Sequence, residues 1–224
     1  IGEPSNHTMD AFFGTNGDRR FYIQGYLNYE RSFGSHNVSG MLLYNQDDYN
    51  TNVNSSLIAS LPKRKMGVAA RLSYDYDHRY MLEVNAGYNG SESFAKGHRW
   101  GLFPSVALAW KLNEESFLKN VNAISDLKLR LGYGVTGQQN LGNGDYPYMA
   151  RYMYSKAGAN YYFGDTEYSL IAPQPYDQNL KWEETTTWNV GIDYGFLNGR
   201  ITGTIDYYFR KTKDLLNTVT APAG

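Results

Sequence analysis

The chain has 224 residues and a formal net charge of −1, from 21 basic and 22 acidic residues. This balance argues against a nucleic-acid-binding protein, and the absence of cysteine excludes disulfides and cysteine-based metal sites. Tyrosine is abundant, with 21 residues, and suits a membrane–water interface because its apolar ring ends in a polar hydroxyl.

Segments in which apolar and polar residues alternate recur along the chain, and each predicts a strand with one apolar and one polar face. The first strand is predicted at about Arg20–Glu30 and the second at about Asn37–Gln46, with a short turn at Ser32–Ser35 between them. The second strand has the weakest pattern, because Met41 and Leu43 fall on the face that should be polar.

The clearest hairpin follows a polar loop at Asp47–Lys65. Its strands are predicted at Met66–Tyr76 and Tyr80–Asn89, and a tight turn at Asp77–Arg79 joins them. A loop rich in Gly and Ser, Gly90–His98, then leads to the next strand.

The fifth strand is predicted at Leu102–Leu112, and a helical turn over Asn113–Leu118 follows it, with Asn113 as the N-cap. The sixth strand is predicted at Leu127–Val135. A long loop at about Gly137–Glu183 comes next, and structureless loops of this length are usually functional.

The last two strands are predicted at Trp188–Phe196 and Ile201–Arg210, joined by an Asn-Gly turn at Leu197–Gly199. Along the chain, short turns therefore alternate with long loops, and the connection at Asn113–Ser125 is intermediate in length. This asymmetry is typical of an outer-membrane β-barrel. No apolar run of about 18 residues occurs, so the sequence predicts no transmembrane helix.

About eight strands of roughly ten residues favour an all-β fold, an antiparallel transmembrane β-barrel. A soluble carbohydrate-binding β-sandwich also alternates apolar and polar residues, although its strands are usually shorter. A small closed eight-stranded outer-membrane barrel with an adhesive or structural role is a further alternative.

Two groups of residues are candidates for a functional site. Charged residues on the predicted polar face would line the lumen of the barrel. Because charged lumen residues are ordinary in barrels, we favour a hydrated network that lines the wall over a role in selecting the cargo. These residues are Arg71, Glu83, Lys128, Arg130, Asp193, Asp206 and Arg210. Aromatic and acidic residues of the long loop would bind substrate, or would instead pack the loop against its neighbours. These residues are Tyr161, Tyr162, Asp165, Tyr168 and Trp182.

The sequence predicts no catalytic, metal or cofactor site. The four histidines are far apart and lack the spacing of metal ligands. Gly132, Gly134 and Gly137 lie within a strand and its exit, and not between a strand and a helix as in a phosphate-binding loop.

Five stretches resemble the SusC/RagA-type TonB-dependent outer-membrane transporters. They are Tyr74–Tyr80 with Asn89–Ser91, Arg99–Ser105 with Ala109–Lys111 and Glu114–Phe117, Leu127–Gly137, Asn179–Thr186, and Asp206–Leu216. Their order and spacing match that family over roughly Met66 to Leu216.

The resemblance implies a plugged barrel of about 22 strands, of which residues 1–224 would be a partial barrel domain without the plug. It implies a non-enzymatic protein of the bacterial cell outer membrane, in contact with outer-membrane lipid, that imports oligosaccharides or peptides. Its expected partners are a SusD-like surface lipoprotein and the TonB complex, the latter through an N-terminal region that this chain would lack.

Overall fold

A computed structural model describes residues 17–52, 58, 60–119, 121–139, 146–155, 161–163, 166–174 and 176–216. The described residues form one short 3-10 helix, Leu112–Glu114, and a series of β-strands. The strands are β1 (Asp18–Phe33), β2 (His36–Thr51), β3 (Lys63–Tyr76), β4 (Tyr80–Ser91), β5 (Trp100–Lys111), β6 (Ile124–Gln138), β7 (Arg151–Ser155), β8 (Tyr161–Phe163), β9 (Thr166–Gln174), β10 (Glu183–Phe196) and β11 (Ile201–Lys213). No helix among these residues is long and apolar enough to cross a membrane.

Eight strands form one antiparallel sheet in the order β1-β2-β3-β4-β5-β6-β10-β11. Strands that follow one another in the chain are therefore neighbours in the sheet, apart from the insertion between β6 and β10. This confirms the predicted series of eight alternating strands. A closed eight-stranded barrel would need a ladder between β1 and β11, and the described residues of these strands form none.

Several strands extend further than predicted at the end of the sheet that carries the long connections, called here the loop end. The predicted loop Asp47–Lys65 contains the end of β2 and the start of β3, whose ladder continues to Tyr49 and Lys63. Its polar residues pair across the strands with opposite charge, Asp47 with Lys65 and Asp48 with Arg64. Such pairs stabilise a ladder as apolar pairs do, although they break the alternation that marks a strand in the sequence.

The prediction of a structureless loop over Gly137–Glu183 is wrong. Within it, β7, β8 and β9 form a separate sheet in the order β7-β9-β8. The strands are short, and β8 has only three residues, so no long alternating segment marks them in the sequence. Their Tyr, Phe and Thr residues nevertheless favour strand geometry.

The predicted helical turn after β5 is shorter and begins earlier than expected. It is the 3-10 helix Leu112–Glu114, with Lys111 at the N-cap position, so the assignment of Asn113 as the N-cap is wrong. The Asn113 side-chain oxygen instead accepts a hydrogen bond from the Leu127 backbone N–H at 3.1 Å. Asn113 therefore fixes this connection to β6.

In-register pairing places the apolar residues of neighbouring strands side by side, as the alternation predicts. One such row is Leu72, Val84, Val106, Tyr133, Trp188 and Phe209, and the surface containing it is called the apolar face. On this face Leu131, Val190 and Ile192 remain 43%, 45% and 42% exposed. A β-sandwich would bury these side chains against a second sheet, and the described residues provide no such cover.

The opposite surface, called the polar face, contains the residues that alternate with these. Met41 lies opposite Arg71 in the β2–β3 ladder, and Leu43 lies opposite Ala69. The two apolar residues of β2 that break the pattern are thus on the polar face, as predicted.

Aromatic rings line both ends of the apolar face. The ring pairs, with their centroid separations, are Tyr76–Tyr80 (6.2 Å) and Tyr80–Trp110 (6.2 Å) at the end with the short turns, called the turn end, and Tyr88–Trp100 (4.8 Å) and Tyr133–Trp188 (4.5 Å) at the loop end. On β4, Tyr80 and Tyr88 lie about 27 Å apart along the strand, which a tilt of about 40° reduces to about 20 Å. This separation is close to the apolar band of about 25 Å between the aromatic girdles of outer-membrane barrels.

Glu115, in the connection after β5, joins two of the turn-end rings. Its Oε1 accepts hydrogen bonds from the Tyr80 hydroxyl and from Trp110 Nε1, the latter at 3.0 Å. Arg79 Nη1 lies 3.9 Å from the other carboxylate oxygen. The hydrogen bonds from Tyr80 and Trp110 outweigh the effect of burial, and with Arg79 they hold the pKa of the Glu115 carboxyl below its ordinary value of 4.5.

Because its folded-state pKa is lowered, Glu115 stabilises the fold fully above its unfolded pKa, and this contribution is lost as the pH falls through the folded pKa. We expect Glu115→Gln to lower the unfolding temperature of the full-length protein near neutral pH. The variant should also lose less stability than the wild type between about pH 6 and about pH 3. Thermal unfolding of both proteins across this range measures the effect, and parallel pH profiles would contradict it.

Candidate functional site

Arg130 of β6 is the centre of an ion-pair network that crosses three strands on the polar face. Its Nε and Nη2 donate to the Asp193 carboxylate of β10 at 2.9–3.1 Å, and Nη2 lies 3.1 Å from the Asp206 carboxylate of β11. Lys128 Nζ and the Thr204 hydroxyl each lie 3.0 Å from Asp193. Two cations and two carboxylates therefore neutralise each other.

Gly191 makes room for this network. It lies in register between Arg130 of β6 and Asp206 of β11. A Cβ at this position would collide with the Asp206 carboxylate and would lie 2.8 Å from Arg130 Nη2. The guanidinium group thus reaches β11 by passing over the bare backbone of β10.

A second network connects β3, β4 and β5 on the same face. Arg71 Nε donates to the Asn85 side-chain oxygen at 3.0 Å, and the Asn85 amide donates to Glu83 at 2.8 Å and to Ser105 at 3.3 Å. The Ser73 hydroxyl donates to Glu83 at 3.4 Å, and Arg71 lies 3.9 Å from the same carboxylate. This network also carries no net charge.

The structure thus brings six of the seven predicted lumen residues into two networks. Arg210 lies apart from both, with its guanidinium carbon 5.8 Å from the centre of the Tyr208 ring. Because each network is neutral and largely saturated with hydrogen bonds, the geometry suits a rigid wall more than a site for a charged ligand. That these residues line a lumen remains a prediction.

The described residues bury few large side chains, and these lie at the loop end. Phe94 is 0% exposed and Trp182 is 8% exposed. The Trp182 ring lies 5.2 Å from Phe94 and 5.3 Å from Phe103 between centroids, and its Nε1 donates to the Arg99 carbonyl at 2.9 Å. This loop-end core, Phe94, Phe103 and Trp182, fixes the β4–β5 connection and the segment before β10 to β5.

The sequence prediction includes Trp182 but neither phenylalanine of this core. Phe94 lies in a Gly- and Ser-rich segment, where a single aromatic residue in a polar loop was the only available signal. For Trp182, burial supports the alternative that the ring packs the loop. That Trp182 contacts a ligand directly stays a prediction.

The other loop candidates are described only in part. The Tyr161 and Tyr168 backbones pair in the β8–β9 ladder, and Tyr162 pairs with Glu167. Asp165 lies outside the described residues. A binding role for these four residues therefore remains a prediction.

Residues 3–224 match the family model described as TonB dependent receptor-like, beta-barrel. The chain belongs to this family. The all-β sheet with its two distinct faces is accordingly a sector of a TonB-dependent receptor barrel, which confirms the resemblance and the predicted fold class.

Relatives within the family are substantially longer than this chain. The chain is 50% identical over 181 residues to the TonB-dependent receptor SusC of Bacteroides thetaiotaomicron, and the match covers 81% of the chain and 18% of SusC. It is 34% identical over 152 residues to the TonB-dependent receptor P26 of Formosa agariphila, covering 68% of the chain and 15% of P26. The chain thus spans less than a fifth of either relative.

The fold also matches a chain from the structure of the RagAB peptide transporter. That match has a TM-score of 0.74 at 22% sequence identity, and it covers 92% of this chain and 25% of the other. At this identity, the match establishes the shared barrel fold.

Proposed function

We propose that this chain is part of the wall of an outer-membrane transporter that actively imports oligosaccharides or peptides. The main support for the proposal is that one face of the sheet is apolar and the other is polar. The apolar face, with aromatic rings at both ends, suits a lipid bilayer, and the polar face, with its neutral networks, suits a water-filled interior. Membership of the TonB-dependent receptor family supports the same arrangement.

The transport step is binding and conformational change, without covalent chemistry. Substrate would enter from the loop end, which would face the outside of the cell, because outer-membrane barrels have their longer loops there. A plug would release the substrate into the periplasm with energy delivered through the TonB complex. A SusD-like surface lipoprotein would cover the entrance, near the loop segment that contains Tyr161, Tyr162, Asp165, Tyr168 and Trp182.

An in-frame deletion of the gene in its parent bacterium tests this function. We expect the deletion strain to lose growth on a specific oligosaccharide or peptide mixture as sole carbon source, while growth on the corresponding monomers continues. Inactivation of the TonB complex should cause the same loss. Growth of the deletion strain on every oligosaccharide and peptide that supports the parent would contradict the proposal.

A further inference from the structure

The asparagine amides on the polar face differ between its two ends. At Asn37 of β2 and Asn85 of β4 the amides are bonded within the protein, to Asp75 at 2.9 Å and to Glu83 at 2.8 Å. At Asn45 and Asn89, on the same two strands and the same face, the amides form no hydrogen bond with other described residues. The amides nearer the loop end are therefore available to an external ligand.

Asn45 and Asn89 converge at one place. Both pair in register with Gly67 of β3, which lies between them. A Cβ on Gly67 would lie 3.2 Å from the Asn45 side-chain oxygen and would collide with the Asn89 amide. Glycine at this position thus leaves the space that the two amides occupy.

A cleft of about 650 Å³ opens beside these amides. Thr136, Gln138 and Gln139 at the end of β6 line it, together with Phe103 and Trp182 of the loop-end core. The Gln139 side-chain oxygen is buried and accepts no hydrogen bond from the described residues. The cleft therefore combines unused amide groups with an aromatic wall.

The chemistry of this cleft indicates the class of ligand. An amide side chain both donates and accepts hydrogen bonds, and a sugar hydroxyl group does the same. Among the described residues, no carboxylate lines the cleft, and Lys65 is its one ionisable group. Charged peptide termini and acidic or basic side chains would find few partners of opposite charge here.

We propose that Asn45 and Asn89, with the cleft beside them, form a subsite on the barrel wall for an uncharged oligosaccharide. This assignment rests on the proposed import function and makes it specific, because it places cargo against the wall at the loop end. The saturated networks toward the turn end would then form a surface without affinity for the cargo.

Binding of neutral oligosaccharides to the purified full-length transporter tests this subsite independently of uptake in cells. Isothermal titration would use a panel of neutral α-glucan, β-glucan, fructan and mannan oligosaccharides, with a uronic-acid oligosaccharide and a mixture of short peptides for comparison. We expect a neutral oligosaccharide to bind most tightly. The double substitution Asn45→Ala with Asn89→Ala should raise its Kd about tenfold to a hundredfold, since two hydrogen bonds are lost.

Two further variants make the result specific. Asn37→Ala removes an amide from the same strand and face as Asn45 but outside the cleft, and it should leave the Kd unchanged. Gly67→Ala keeps both asparagines and displaces the Asn89 amide, so it should also weaken binding. In this case the clash involves the flexible end of a side chain, so the strand itself should remain folded.

The subsite would be ruled out if no neutral oligosaccharide bound, if peptides or uronates bound more tightly, or if the double variant at Asn45 and Asn89 bound as well as the wild type. None of these results would affect the growth phenotype of the deletion strain, which tests the import function separately.

Discussion

Leu131→Arg is expected to destabilise the full-length receptor by about 2–4 kcal/mol, the cost of an arginine at the midplane of a barrel's lipid-facing surface. Leu131 lies on the apolar face, in register with Leu108 of β5 and Val190 of β10, midway between the two rows of aromatic rings. Its side chain is 43% exposed and the described residues do not cover it. The charged group would therefore have to enter hydrocarbon. Equilibrium unfolding in lipid vesicles measures the loss.

Asn189→Arg is the matched control for this substitution. Asn189 lies opposite Gly132 in the β6–β10 ladder, at the same depth as Leu131 and on the polar face. An arginine at this position would extend into water, so we expect a change below about 1 kcal/mol. If both variants lost the same free energy of unfolding, the two faces would not differ in their surroundings, which would contradict a lipid-facing apolar face.

Trp182→Ala is expected to cost about 3–5 kcal/mol, the range for removing a buried aromatic side chain. The substitution removes the ring between Phe94 and Phe103 and also the hydrogen bond to the Arg99 carbonyl. Since these contacts fix the β4–β5 connection, their removal should loosen that connection and should appear first as proteolytic cleavage in residues 92–99. Limited proteolysis of the full-length receptor, followed by mass spectrometry, detects this cleavage.

Trp188→Ala provides the comparison for Trp182→Ala. Trp188 is 55% exposed on the apolar face, and its ring contacts Tyr133 at 4.5 Å. Loss of this ring pair should cost about 1 kcal/mol and should leave residues 92–99 resistant to cleavage. If both variants became equally sensitive to protease, the loop-end core would not be what fixes this connection.

The centres of the eight strands and their two faces could be predicted from the sequence because a period of two survives wherever one face is apolar and the other polar. In β10, for example, the alternation predicts that Val190 and Asp193 lie on opposite faces, and they pair with Leu131 and Lys128 on those faces. Strand ends were less predictable. The sequence predicts Asp48 and Arg64 in a loop, because both are polar. Their pairing across β2 and β3 explains why the ladder between these strands continues to them.

Contacts between distant segments could not be predicted. The pairing of Arg130 with Asp206 depends on Gly191, whose role is visible only when three strands lie side by side. Phe94 gave no periodic signal, and its burial depends on Trp182, which is 88 residues away in the chain. A single sequence specifies local periodicity more strongly than it specifies such long-range partners.

Accessibility of single spin labels in the full-length receptor, reconstituted in lipid, would test the assignment of the two faces. Labels would be attached to cysteines introduced at Leu131 and Val190 on the apolar face, and at Gly132 and Asn189 on the polar face. This chain contributes no cysteine of its own. We predict that lipid-soluble oxygen relaxes the first pair strongly, and that a water-soluble nickel complex reaches only the second pair. Access of the nickel complex to Leu131 and Val190 would contradict a lipid-facing wall.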